Sequence, residues 1–138
     1  MVLRIFRRGL GNGIHITLEL AKAIIPVYFI ITFLKYSPFL EMLSQACAGF
    51  MSYLGLPGEA ALPLVLGNAL NLYPAIGAIE ALALNGKQVT IIAVMLLFSH
   101  SLFVELAVIR KAGVKVLPIL LIRISLAVGA AFLLNLML

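Results

Sequence analysis

The stretch Gly55-Leu56-Pro57-Gly58-Glu59-Ala60-Ala61-Leu62-Pro63 decides how the rest of the chain is read, because it sets a carboxylate among helix-breaking residues inside a very apolar sequence. A lipid bilayer tolerates broken backbone only where protein or a water-filled cavity satisfies the freed polar groups. It tolerates ionisable side chains chiefly where they serve a pathway or a site. Broken helices that carry charge at membrane depth are how many transporters build binding sites.

The residues around this stretch place the chain in a membrane. Hydrophobic residues make up 64% of the 138 and charged residues only 11%, and the mean hydropathy is +1.19. A soluble domain is about half apolar and a quarter charged, and a water-soluble fold of this size cannot hide so much apolar surface. The net charge of +5 does not point to nucleic acid. The basic residues stand at the ends of apolar runs, the pattern of a positive-inside membrane topology, and not in a stripe interleaved with aromatics. The single cysteine, Cys47, forbids an internal disulfide. The basic start of the chain leads into an apolar run too long for a signal peptide and without a small-residue cleavage site, so it is expected to be retained.

The chain divides into a basic interfacial segment, residues 1–13, and a single membrane domain, residues 14–138. The first holds Arg4, Arg7 and Arg8 and is expected to lie on the headgroups and to end at the Gly9, Gly11 and Gly13 cluster. Residues 14–35 are long enough to cross a hydrocarbon core of about 30 Å, and Pro26 is placed to kink that helix. Residues 39–54 are amphipathic, with Leu40, Leu43, Cys47, Phe50, Met51 and Leu54 on one face and Glu41, Ser44, Gln45 and Ser52 on the other. An interrupted apolar run then reaches Leu84, and Asn85-Gly86-Lys87 forms a turn. Residues 88–107 and 116–138 read as two further spanning helices joined by the basic loop from Arg110 to Lys115.

Charge counting sets the topology. With the N-terminus cytoplasmic, Lys35 falls outside and the basic loop returns inside, so residues 36–87 must begin and end on one face. A pair of full spans or a re-entrant hairpin satisfies this. Pro57, Pro63 and Pro74, with Gly55, Gly58, Gly67, Gly77, Asn68 and Asn71, favour the hairpin, since an interior Pro costs about 3 kcal/mol and Gly about 1. The fold expected is an all-α integral membrane protein: about three transmembrane helices, a broken re-entrant hairpin and an N-terminal interfacial segment.

Two motifs carry a family resemblance. Gly55 to Ile79 (GLPGEAALPLVLGNALNLYPAIGAI) and Ser99 to Gly113 (SHSLFVELAVIRKAG) resemble the Gate, or nucleoside-recognition, family. Related modules occur in pairs in bacterial ferrous-iron transporters and singly in spore maturation proteins A and B. The concentrative nucleoside transporters have a similar hairpin, whose carboxylate binds ribose hydroxyls, and the resemblance implies that role for Glu59. The ferrous-iron modules carry a Cys beside an Asn where this chain has Leu70-Asn71-Leu72-Tyr73-Pro74, so iron conduction is not expected. No phosphate-binding loop sequence occurs in the chain.

The candidate solute-binding residues are Glu59, Asn68, Asn71 and Tyr73, on a hairpin with Glu59 at its tip and hinges at Gly55, Pro57, Gly58, Pro63, Gly67 and Pro74. Each also has a structural reading: Asn68 and Asn71 as caps or interhelical bonds, Tyr73 as packing. A polar cluster is expected from His15, Glu19, His100 and Glu105, with Arg123 within reach of either glutamate. His15, His100 and Cys47 lack zinc-type spacing, and Ser99 and His100 are not a catalytic pair, because helix neighbours point about 100° apart. No enzyme, metal or cofactor is expected. Since transporter sites lie between two repeats and this chain has no internal repeat, it is expected to work as a homodimer or with a sister module. The solute would be small and polar, the setting the bacterial cytoplasmic membrane. The alternative is a non-transporting scaffold or regulator, for which residues 40–54 would be the partner surface.

Overall fold

The computed structural model describes residues 2–34 and 36–138. Among them are seven α-helices and one 3-10 turn: α1 Val2–Leu34, α2 Pro38–Tyr53, the 3-10 turn Gly58–Ala60, α3 Ala61–Ala69, α4 Leu72–Leu82, α5 Gly86–Ser99, α6 Leu102–Lys111 and α7 Val116–Met137. The protein is an all-α membrane protein with three stretches long and apolar enough to span: α1, α5 with α6, and α7. Lys35, expected on the outer side, lies outside the described residues.

α1 runs unbroken for 33 residues. The Gly9, Gly11 and Gly13 cluster does not end a segment, contrary to the sequence reading, because once a helix is nucleated each further residue adds a hydrogen bond. Thr17 Oγ1 also donates to the Gly13 carbonyl at 2.8 Å. At about 1.5 Å per residue the helix is about 50 Å long, of which residues 14–34 match the hydrocarbon thickness. Pro26 sits within it without ending it.

The re-entrant hairpin is α3 and α4, packed side by side and turning at Leu70 and Asn71. Both legs open toward one end of the molecule. Ile31 of α1, Leu40 of α2 and Ala78, Ala81 and Leu82 of α4 share one buried cluster there. Asn135 near the end of α7 donates to the Tyr53 carbonyl at 3.3 Å, and Lys87 at the start of α5 donates to the Asn135 carbonyl at 3.0 Å. α2 starts beside α1 and finishes beside α7, so its 16 residues, about 24 Å, lie across this end as a lid. Leu40, Met51 and the following Leu54 face inward as the amphipathic pattern required, while Phe50 is exposed.

The turn of the hairpin is not at Gly55 to Pro63, where the sequence placed it. Pro57 caps the 3-10 turn, Pro63 is the third residue of α3 and Pro74 the third of α4. First-turn residues have no intrahelical acceptor for their N–H, so proline there opens a helix at no cost. These prolines start the two legs. The main core, built from Leu54, Leu56, Ala60, Leu64, Ala75, Ile91, Ile92, Met95, Leu96, Ala127 and Ala131, packs the hairpin against α5, which in turn packs against α7. Close approach needs glycine at two points: a Cβ at Gly77 would sit 2.7 Å from the Ile24 carbonyl of α1, and one at Gly58 would fall on the Ser44 carbonyl of α2.

The second span, read from sequence as one helix over 88–107, is broken between α5 and α6. No proline or glycine marks the break. Beyond it, toward the basic end, α6 has no buried residue and residues 3–19 of α1 are exposed.

Candidate functional site

Two interruptions of helix meet about halfway along the molecule. α5 is 14 residues long, so Ser99 lies about 20 Å from its start, near the middle of the 26-residue stretch Gly86–Lys111. There Ser101 takes a left-handed backbone (φ 52°), a conformation that disfavours side chains other than Gly and Asn. Its N–H donates to the Gly67 carbonyl of α3 at 2.8 Å, and its Oγ donates to the Leu70 carbonyl at 3.3 Å. The hairpin tip and the broken span are therefore pinned to each other by one residue.

Side chains bond four carbonyls at the end of α5 and just beyond it, of which that of Leu96 also accepts the His100 N–H. Ser99 Oγ donates to the Met95 carbonyl at 2.8 Å, and His100 Nδ1 lies 2.9 Å from the Leu96 carbonyl. Since a carbonyl can only accept, that nitrogen carries the proton. From α7, Arg123 Nε donates to the Phe98 carbonyl at 2.8 Å and Nη2 to the His100 carbonyl at 3.4 Å, while Nη1 pairs with Glu105 of α6. The other oxygen of Glu105 is 3.8 Å from His100 Nε2. One arginine thus caps α5 with its donors and ties α6 to the same point with its charge.

The candidate residues separate into groups. Asn71 caps α4, its side chain accepting the Tyr73 N–H at 3.0 Å. Asn68 donates to the Leu64 carbonyl at 2.7 Å, and its own carbonyl oxygen is buried without a partner. Tyr73 is 43% exposed beside the tip. Glu59 is not with them. It lies in the 3-10 turn, in an open groove of about 370 Å³ with Leu40, Glu41, Ser44 and Gln45 under α2, and nine residues of α3 separate that turn from the tip. The expected polar cluster likewise divides: His15 and Glu19 form an exposed pair at 3.3 Å on α1, whereas His100 and Glu105 join Arg123. The hinge set divides too, Gly55, Pro57, Gly58 and Pro63 belonging to the lid end, with Gly67 and Pro74 flanking the tip.

One residue at the junction escaped the sequence reading and one was read in part. Ser101 carried no signal of its own beyond lying next to His100. Of the two glutamates expected within reach of Arg123, Glu105 is its partner. A lone arginine in an apolar helix demands such a partner at depth, but nothing in the sequence said that its partners include two backbone carbonyls. Asn71→Ala should cost about 1 kcal/mol through loss of the cap, seen as easier thermal unfolding in detergent micelles, with Asn71→Asp close to the parent.

Comparison with known proteins places this arrangement. The profile of the Gate family, described as nucleoside recognition, matches residues 17–116. The chain is 44% identical over 133 residues to the membrane protein YvoD of Bacillus subtilis (strain 168), covering 96% of this chain and 43% of that protein. It is 34% identical over 71 residues to the Fe(2+) transporter FeoB of Escherichia coli (strain K12), covering 51% of this chain and 9% of FeoB. The chain therefore spans less than half the length of either relative. No solved structure matches it.

Proposed function

The chain belongs to the Gate (nucleoside recognition) family, and from that premise we propose that it is half of a transport unit. Two such modules, copies of this chain or this chain and a sister module, bring their hairpin tips together and pass a small polar, nucleoside-like solute. The setting is the bacterial cytoplasmic membrane, with the basic end and N-terminus cytoplasmic, and the protein acts by binding, not catalysis.

The observation that carries this reading is the exposure of the tip. Leu70 is 53% exposed and Asn71 is exposed with it, on irregular backbone halfway along a membrane protein, with Tyr73 exposed on the first turn of α4. Such backbone does not face lipid; it is buried in protein or lines water. A second module or a wet cavity must cover it, and a site between two modules supplies both. The groups at the tip are the Tyr73 phenol, the Ser101 hydroxyl and the His100 imidazole, and the Asn68 amide oxygen, buried and unpartnered in this closed arrangement, becomes an acceptor when a solute opens the tip. They suit the hydroxyls and ring nitrogens of a nucleoside. Glu59, set apart under the lid, belongs to access rather than to binding.

The test is thermal unfolding of the detergent-purified protein with nucleosides and nucleobases, beside Asn68→Ala and Tyr73→Phe. A ligand that binds the native state at a hundredfold excess over its dissociation constant stabilises it by about 2.7 kcal/mol. Stabilisation by a nucleoside, lost in Asn68→Ala and kept in Glu59→Ala, is the expected result. No nucleoside effect, with all variants folding like the parent, would sink the reading in favour of a membrane scaffold.

A further inference from the structure

A second candidate site lies at the opposite end from the lid, where α6 turns into α7. The six residues Arg110-Lys111-Ala112-Gly113-Val114-Lys115 hold three cations and no carboxylate. The turn is rigid: Ala112 N–H donates to the Val108 carbonyl at 3.0 Å, Gly113 N–H to Arg110 at 3.1 Å and Val114 N–H to Ile109 at 3.3 Å, with Gly113 at φ 77°. This arrangement satisfies the Val108, Ile109 and Arg110 carbonyls at the end of α6 from the backbone, so the basic side chains are not needed as caps there. Among the described residues none of the three cations has an ion-pair partner. The nearest carboxylate in sequence, Glu105, is held by Arg123 and His100.

Lys115 gives α7 no side-chain cap. The N–H groups of Val116 and Leu117 at the positive end of a 22-residue helix are therefore left for another acceptor, Pro118 having none to offer. Beside them is an open groove of about 510 Å³ lined by Leu106, Ala107, Arg110, Val114 and Val116. Its walls are apolar apart from the guanidinium. The groove thus puts positive charge and free backbone donors at its membrane-surface end and hydrocarbon along its flank.

We propose that this groove binds an anionic phospholipid, with the headgroup phosphate at Arg110, Lys115 and the start of α7, and an acyl chain along Leu106, Ala107, Val114 and Val116. Charge complementarity selects the headgroup and the apolar walls select a lipid over a free anion. The basic residues of α1 provide the contrast. Arg4, Arg7 and Arg8 carry the same charge on a helix segment that nothing packs against, where attraction to a negative surface is diffuse. Basic pockets between membrane helices are a recognised way to hold lipid headgroups, and each cation near the surface is worth about fivefold in affinity.

The test uses the full chain in a neutral detergent, titrated with phosphatidylglycerol or phosphatidylcholine, bound lipid being counted by native mass spectrometry and unfolding followed by heating. Phosphatidylglycerol should bind more tightly than phosphatidylcholine. The Arg110→Gln/Lys115→Gln double variant should lose that preference by about 25-fold, while the charge-matched Arg4→Gln/Arg7→Gln variant keeps it. Equal losses in the two variants would reduce the effect to diffuse surface charge and overturn the site. So would equal binding of the two lipids, or the same protection from inorganic phosphate alone. All four substitutions are at exposed positions, and each variant's melting temperature without lipid verifies its fold.

Discussion

Arg123→Leu should cost about 3 kcal/mol and lower the yield of folded protein in membranes sharply. Removing one member of a buried pair strands the other, typically for about 3 to 5 kcal/mol. The lower end applies because Glu105 is 38% exposed against 17% for Arg123, so water recovers part of the loss. The substitution also removes the donors to the Phe98 and His100 carbonyls, which no other described group replaces. Double-variant unfolding in detergent separates the two contributions. If the stranded charge dominates, adding Glu105→Gln to Arg123→Leu should recover most of the lost stability. If the carbonyls dominate, the double variant should be as unstable as Arg123→Leu alone. Glu105→Gln by itself should cost less than Arg123→Leu, since a glutamine oxygen still accepts from Arg123 and the two carbonyl bonds remain, but it still destabilises because the better-buried guanidinium loses its counter-charge.

The same cluster shows how far the chain could be read without coordinates. The membrane class, the span of α7, the amphipathic α2 and a re-entrant hairpin between residues 36 and 87 all follow from hydropathy, periodicity and the placement of charge. Those signals are collective, and each depends on many residues. The location of the hairpin tip depended on one local rule, that proline breaks helices, and that rule has two outcomes. Pro57, Pro63 and Pro74 each lie at or near a helix start, where proline is favourable. The sequence signal for the tip was the capping pair Asn71 with Tyr73-Pro74, about two helical turns beyond the stretch Gly55 to Pro63 where the glycines and prolines are densest.

The break at His100 and Ser101 was illegible for a different reason. The stretch 88–107 is apolar and free of helix breakers, so local propensity argues for one continuous helix. The interruption is made by partners distant in sequence, Gly67 and Leu70 on one side and Arg123 on the other. Where tertiary contacts override propensity at such cost, the site is expected to be functional. That expectation moves the candidate site away from Glu59 and onto the junction.

Gly58→Ala tests whether the lid end positions that junction, and it should be about as damaging as the loss of Arg123. A Cβ at residue 58 would fall on the Ser44 carbonyl oxygen, which belongs to the backbone of α2 and cannot rotate aside. Either α2 lifts from the 3-10 turn or the turn moves with α3. Overpacking costs about 1 to 3 kcal/mol where side chains can adjust, so a clash with backbone belongs at or above the top of that range. Gly49→Ala provides the control, because nothing lies within 4 Å of its would-be Cβ. In the middle of α2 the alanine should stabilise by about 0.5 to 1 kcal/mol. Two glycine-to-alanine changes nine residues apart should therefore shift the unfolding temperature in opposite directions. Equal shifts would mean that α2 does not dock on the turn. Since α3 runs directly from that turn to the tip, a Gly58→Ala protein that still folds should also lose solute binding at the junction, while Gly49→Ala keeps it.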